Sequence, residues 1–344
     1  MAKSLQNGEY HATVSGGKEP EGGESDRLKK RIQKHYNMSA EQFLKVWGEH
    51  IHHGYFNTPN DSNDQAQINQ VLKLVESSRI TAGSRVLDVG CGIGGTARYL
   101  AKEKGCKVTA ITNSYRQAQL GRELTAAEAS PTSTAQTPAS SPSSPSSSPP
   151  KTTQQNDAFI QLSNNAGEGA AAGAVRILDL DIANMQSHFS TTVRETFDCV
   201  WLSEVIFHLH DRKQVFDAAY SLLDSGGCLV IADIFRAHHD AAAAGKRVQK
   251  ELASIRRNHL CPQLGSIDEY RKMAGDAGLK ERHEAVDVTG NVARTWDTEL
   301  PLRSVLYLMT QGRDAIGYMR GMRSMKRAYA HGTAVYAILC FEKP

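Results

Sequence analysis

The chain has 344 residues, 40% of them apolar, and a formal charge of +3. That length holds one large domain or two, and the apolar fraction suffices for a real core. The small net charge leaves no nucleic-acid footprint, and no apolar run approaches the length of a membrane span. Residues 1–25 are polar, with several glutamates and no apolar signal core, and read as a disordered tail. From 26 to 80 the pattern is helical and reads as an N-terminal lid. Ser25 and Asp26 cap a helix through Leu28, Ile32 and Tyr36. Its other face is basic (Arg27, Lys29, Lys30, Arg31, Lys34): a solvated face, or one that meets a membrane surface or an anionic substrate. Ser39 and Gln42 have capping-box spacing ahead of a second amphipathic helix to Trp47. His50, His52 and His53 follow within four residues, with no helical i, i+4 carboxylate partner and no cysteine companion. No metal site is expected there, and the aromatic, histidine-rich segment suits a cover better. A further helix runs over Gln65–Ser78.

The apolar run Arg85–Val89 reads as a buried strand that ends in four glycines, Gly90, Gly92, Gly94 and Gly95, before a helical pattern. Glycines there permit a sharp turn at positive φ and let a ligand lie against bare backbone at a helix N-terminus. This is the first β-turn-α unit of a doubly wound sheet, whose ligands bind at strand C-termini. The spacing fits both G-x-G-x-x-G and a tighter G-x-G-x-G. Asp88, two residues before the first glycine, favours the tighter form. The run Val86-Leu87-Asp88-Val89-Gly90-Cys91-Gly92-Ile93-Gly94 closely resembles motif I of class I S-adenosylmethionine (SAM) methyltransferases. Tyr36-Asn37 and the segment Trp47–Tyr55 resemble, more narrowly, the γ-tocopherol methyltransferase group. That group is similar to antibiotic-sugar O-methyltransferases, sarcosine/dimethylglycine N-methyltransferases and plant alkaloid N-methyltransferases. The resemblance implies that Tyr36 and the His53-Gly54-Tyr55 segment close over SAM, with His53 and Tyr55 toward the substrate. It also implies that Asp88, Gly90, Cys91, Gly92 and Gly94 cradle the cofactor.

The second strand, Lys107–Thr112, is followed by Asn113-Ser114, where a dinucleotide fold and many SAM methyltransferases place an acid for a ribose. The tocopherol-like group commonly has a small polar stretch there, so Asn113 or Ser114 is expected to bind the ribose as a neutral hydrogen-bonder. Residues 125–173 contain a stretch, Ser130–Pro150, dominated by serine and proline that cannot offset chain entropy. They read as a disordered insertion within a SAM-binding core spanning 81–235. Val175–Asp181 resumes the sheet as strand three. By resemblance, Asp181 accepts a hydrogen from the adenine amino group and Ile182 lies against its ring. Strand four, Phe197–Glu204, resembles motif II and brings Ser203 to the cofactor. Gly226-Gly227 before Cys228–Asp233 resembles the turn into strand five, motif III.

SAM carries an activated methyl group, so the protein must align a nucleophile, exclude water and, for an amine, oxygen or phenol-like ring carbon, remove a proton. Glu204, His208 and Asp233 are the titratable residues placed for this. His208 matches a histidine after strand four of the sugar O-methyltransferases, where two histidines are adjacent. Here the first of that pair is Phe207, assigned to the substrate side. His208 reads as a general base, a substrate-orienting group or buried polar packing. Glu204 reads as a binder of a substrate hydroxyl or ammonium, or as a helix cap. Residues 236–344 supply a helical cap and the last two strands. Met309, Met319, Met322 and Met325 serve there as core or as an adaptable pocket.

The expected fold is α/β, a Rossmann-like doubly wound seven-stranded sheet of order 3-2-1-4-5-7-6, strand seven antiparallel, with a helical cap. The expected activity is SAM-dependent methyl transfer to N, O or C of a small hydrophobic or amphipathic metabolite. No metal, nucleic-acid partner or stable membrane insertion is expected. Six cysteines without C-x-x-C spacing fit the reducing cytoplasm. The rival readings are an NAD-linked oxidoreductase, which lacks its ribose acid here, a non-methylating cyclase or binding relative, and a scaffold built on the insertion.

Overall fold

The computed structural model describes residues 23–129, 158–163, 172–238, 244–297 and 313–344. In chain order the strands are β1 (Arg85–Val89), β2 (Lys107–Thr112), β3 (Ile160–Leu162) and β4 (Gly173–Asp179), then β5 (Phe197–Ser203), β6 (Leu223–Arg236), β7 (Lys280–Asp287) and β8 (Ala334–Glu342). They form one sheet of order β3-β4-β2-β1-β5-β6-β8-β7. β4, β2, β1, β5 and β6 are parallel, whereas β8 runs antiparallel to both β6 and β7. The parallel strands are apolar on both faces because helices cover both. Val86, Val108 and Val230 pack with Val71, Leu74 and Leu100 on one side; Leu87, Val89 and Leu229 pack with Phe216 and Tyr270 on the other. This is the period-two alternation of a strand read into two layers.

Without β3, the order is the expected 3-2-1-4-5-7-6. β3 lies inside residues 125–173, which sequence composition assigns to a disordered insertion. Ile160 pairs with Val175 and Leu162 with Gly173, and Leu162 is buried. β3 covers the edge of β4 that would otherwise offer unpaired backbone groups, a gain that composition does not reveal. Residues 125–129 likewise belong to a helix rather than to the insertion. Ser130–Pro150, the tail up to residue 22 and Met309 lie outside the described residues.

Four helices bear on the site: α1 (Glu24–Trp47), α2 (Asn63–Ser78), α3 (Gly95–Lys104) and α4 (Tyr115–Ala129). α1 is one helix where two were expected, and Ser39 sits within it rather than capping a second. Ile32, Tyr36, Ala40 and Leu44 recur at fourfold spacing, so a single inward face runs through Ser39 without a break. Ser25 and Asp26 lie in its first turn, and the N-cap is Gly23. Further helices span Lys213–Leu222, Lys246–Asn258, Ile267–Asp276 and Arg313–Ala330.

Candidate active site

A cavity of about 280 Å³ opens at the C-terminal ends of β1, β2 and β5 and beside the turn after β4, beneath α1. Its floor is the turn from β1 into α3. Gly90 has φ +75°, and a Cβ there would stand 2.4 Å from Val205 Cγ2. A Cβ on Gly95 would stand 2.2 Å from the Glu49 carbonyl oxygen. Backbone therefore meets backbone where the lid segment crosses the turn, and only glycine fits. Gly90, Cys91, Gly92 and Gly95 line the cavity; Gly94, expected beside them, faces Ile177 instead and serves the packing of α3 on the sheet.

Asp88 is buried and lines the cavity, and its Oδ2 has no hydrogen-bond partner among the described residues. Burial pushes its carboxyl up to about 7. Ser203 Oγ and His52 Nε2 are likewise buried and unpartnered on the cavity wall. The other ring nitrogen of His52 donates to the His53 carbonyl at 2.8 Å. Each unmet buried polar atom costs about 1–3 kcal/mol, so three on residues that line one cavity mark a place for a polar ligand.

At the far end, Asn113 lines the cavity while its carbonyl accepts from Gln33 Nε2 of α1 at 2.8 Å. Ser114, the alternative ribose contact, is turned away. Its hydroxyl donates to Asn37 Oδ1 at 2.7 Å and accepts from Gln117 N at 3.2 Å, capping α4. Asp181 and Ile182 reach the cavity after β4. Asp181 accepts from Ala183 N at 2.9 Å and pairs with Lys29 Nζ at 2.8 Å.

On the side facing the helical cap, His208 Nδ1 donates to the Leu260 carbonyl at 3.0 Å. A carbonyl only accepts, so Nδ1 carries the proton and Nε2 is the acceptor, which receives the Tyr36 hydroxyl at 3.1 Å. Burial holds His208 down at about 4 and raises Tyr36 far above its ordinary value, the carboxylates of Glu204 and Asp233 adding to the latter. Both are thus neutral near pH 7, and both line the cavity.

Glu204 also lines the cavity, at φ +59°. Its Oε1 accepts from the His53 backbone N–H at 2.6 Å, from His53 Nδ1 at 2.8 Å and from the Tyr336 hydroxyl at 2.9 Å. Burial works to raise its pKa, but the charge and hydrogen bonds of His53, with the field of His52, bring it below the ordinary value. The carboxylate is committed to holding the lid segment against the sheet.

Several expected roles change. Asp233 does not line the cavity: it is fully buried, and its oxygens accept from Phe207 N at 3.0 Å and from Ile234 N at 2.8 Å. It shapes the turn that presents His208, and burial pushes it up to about 8. Phe207, expected on the substrate side, is buried against His208 with ring centroids 3.9 Å apart. His53 is buried between Glu204 and Tyr329, and Tyr55 packs toward α2, where Lys73 Nζ lies 5.5 Å from its ring centroid. None of these three lines the cavity; Ile51 and His52 do. Sequence reasoning also missed Lys29 and Ile32. Stepping back along α1 from Tyr36 by helical spacing would have found both.

A doubly wound sheet with an antiparallel β7–β8 pair and a glycine-turn cavity at the ends of the central strands is the plan of a class I SAM-dependent methyltransferase. The residues fit SAM: bare backbone and unpartnered Asp88, Ser203 and His52 offer partners for its polar groups. Residues 24–136 match the mycolic acid cyclopropane synthetase family and residues 154–231 a methyltransferase-domain family. The chloroplastic tocopherol O-methyltransferase of Arabidopsis thaliana is 24% identical, the alignment covering 93% of this chain and 84% of the relative. The sarcosine/dimethylglycine N-methyltransferase of Aphanothece halophytica is 25% identical over 93% of this chain and 99% of its own. Among solved structures, mycolic acid cyclopropane synthase CmaA1 complexed with SAH and CTAB gives a TM-score of 0.67 at 18% identity, covering 91% and 98% of the two chains. In sequence the chain is thus similar to SAM-dependent methyltransferases of small molecules, and in fold to class I members of that group.

Among the described residues no helix is long and apolar enough to cross a membrane.

Proposed function

We propose that the protein methylates an N, O or C nucleophile of a small hydrophobic or amphipathic metabolite, with Tyr36 and His208 handling the acceptor's hydrogen. SAM, when bound, supplies an electrophilic methyl group. Asp88, Gly90, Cys91, Gly92 and Ser203 hold its amino-acid and ribose side; Asn113, Asp181 and Ile182 hold the ribose and adenine side. The observation that carries this reading is the unpartnered Asp88 Oδ2 and Ser203 Oγ beside the bare glycine turn.

On the acceptor side, His208 Nε2 already receives the Tyr36 proton, so the atom presented to an acceptor is the Tyr36 oxygen. Its lone pairs accept the acceptor's hydrogen while its own proton passes to His208 Nε2. Neither group needs to be ionised beforehand; the step leaves His208 as an imidazolium, whose positive charge replaces the one that SAM loses as its methyl leaves. Glu204 and Asp233 act as positioning residues, the first on the lid and the second on the His208 turn. The free state of all six cysteines supports placement in the reducing cytoplasm.

Incubating the purified protein with methyl-labelled SAM and an extract of small metabolites tests the reading. Label is expected in an organic-soluble product identified by mass spectrometry. SAM binding without any labelled product across such extracts would favour a non-methylating relative instead.

A further inference from the structure

Three helices, α1 over the cavity and two outside its lining, carry charge out of proportion to the rest of the chain. α1, Lys246–Asn258 and Arg313–Ala330 together hold sixteen lysines and arginines against five aspartates and glutamates, a net +11. The whole chain nets +3, so the remainder is acidic, at −8. Each helix sorts these charges by face. On α1 the cavity side carries Leu28, Ile32 and Tyr36, while Arg27, Lys30, Arg31 and Lys34 are exposed at i, i+3, i+4 and i+7 on the opposite side. Lys246, Lys250 and Arg257 are exposed opposite buried Val248 and Ile255. Arg320, Arg323 and Arg327 are exposed opposite buried Met325 and Tyr329.

The three helices are neighbours. Arg256 pairs with Glu24 at 2.8 Å, and His259 bonds the Gly321 carbonyl at 3.0 Å. Two of the α1 acids are engaged, Glu24 with Arg256 and Glu41 with Arg116. At the end of the α1 stripe lies Met38, 63% exposed, and Tyr115, 41% exposed, is brought beside it because Asn37 bonds both Ser114 and Arg116. Cations flanking an exposed apolar and aromatic pair are the composition of a surface that adsorbs to a lipid interface, where the charges meet anionic headgroups and the side chains enter the boundary. Phosphodiester backbones reward the cations but not the exposed methionine.

We propose that this helical face docks the protein peripherally on an anionic membrane surface. Docking would hold α1, and the cavity beneath it, at the lipid boundary. The claim concerns the outer surface and stands independently of which atom the enzyme methylates.

Sedimentation of the full chain with phosphatidylcholine vesicles, with and without phosphatidylserine, tests it. Binding is expected only to the phosphatidylserine vesicles and should fall as salt rises. The triple variant Lys30→Glu, Arg31→Glu, Lys34→Glu should bind at least about tenfold more weakly. Met38→Ser should weaken binding by about threefold while keeping the salt dependence. Both variants should retain the SAM-induced thermal shift, which shows that the fold and cofactor site survive. Equal binding to the two vesicle types, or by the triple variant, would overturn the proposal. So would tighter binding to random-sequence duplex DNA or RNA that Met38→Ser leaves unchanged, which would assign the face to nucleic acid.

Discussion

The floor of the cavity is backbone: the β1 turn, glycines in the left-handed region, and strands locked in register on both sides. Its cover, α1, is held chiefly by side chains, through Gln33 to Asn113, Asn37 to Ser114, Tyr36 to His208 and Lys29 to Asp181. Apolar anchorage of α1 is thin, centred on Ala40 and Leu44 against Ile93 and Leu120. A ladder of backbone bonds opens only with the sheet, whereas individual side-chain ties break locally at little cost. The floor is accordingly a fixed template, and in the proposed function α1 is the cover that would open to release cofactor and product.

The sharpest way to break this contrast is to damage the floor. Gly92→Asp places a charged side chain at φ +57° on the cavity surface. SAM affinity by calorimetry should fall more than about a hundredfold; retention within a few fold would mean that the turn is not the cofactor floor. Changes in the cover should instead affect turnover. Tyr36→Phe and His208→Asn should each lower kcat by about a hundredfold, and the double variant by little more, since the two act as one relay. The pH profile of kcat should show no His208 inflection between about 6 and 8, because burial holds that group down at about 4.

The floor also carries a pH signature. Asp88 is raised to about 7 by burial, so its proton must leave before the carboxylate meets donors of SAM. Affinity should rise by about tenfold per pH unit below about 7 and level off above it, and Asp88→Asn should flatten the curve. Stability runs the other way. Asp88 and Asp233 have folded-state values of about 7 and about 8, above their ordinary 3.8. Their contribution is complete below the unfolded value and is lost as pH rises through the folded values. Buried His50, His52, His208 and His259, held below their ordinary 6.5, oppose this loss at lower pH, so the unliganded protein should melt at progressively lower temperature from about pH 6.5 to about pH 8. The smallest expected effect is at the exposed end of the cover. Lys29→Ala should change stability by less than about 1 kcal/mol, since Lys29 is half exposed, yet should speed SAM release at low salt.

Much of the floor was legible because its requirements are local. Asp88 and the glycines are adjacent in sequence, and their spacing dictates a turn at a strand end whatever packs around it. The strand order was legible through the same periodicity, joined to resemblance; only β3 escaped, since three residues in a biased stretch carry too little pattern to mark a strand. The acid–base assignment was less legible. His208, Asp233 and Glu204 all sit near strand ends, and nothing local distinguishes a side chain facing the cavity from one bonded to a neighbouring backbone. Resemblance put Gly94, and Asn113 or Ser114, beside the cofactor; it does not show that Gly94 and Ser114 face away from the cavity, because a one-residue step in a tight turn reverses the direction of a side chain.

The sequence by itself determined a doubly wound sheet, a glycine turn under a carboxylate and a basic helix ahead of it, because hydrophobic period and glycine conformational freedom act within a few residues. Only tertiary structure decided that Asp233 supports a turn and that Glu204 clasps His53. It alone brought Tyr36, 172 residues away in sequence, to His208. Those outcomes rest on burial and on which donors meet which acceptors across distant segments, and both are properties of the packed chain.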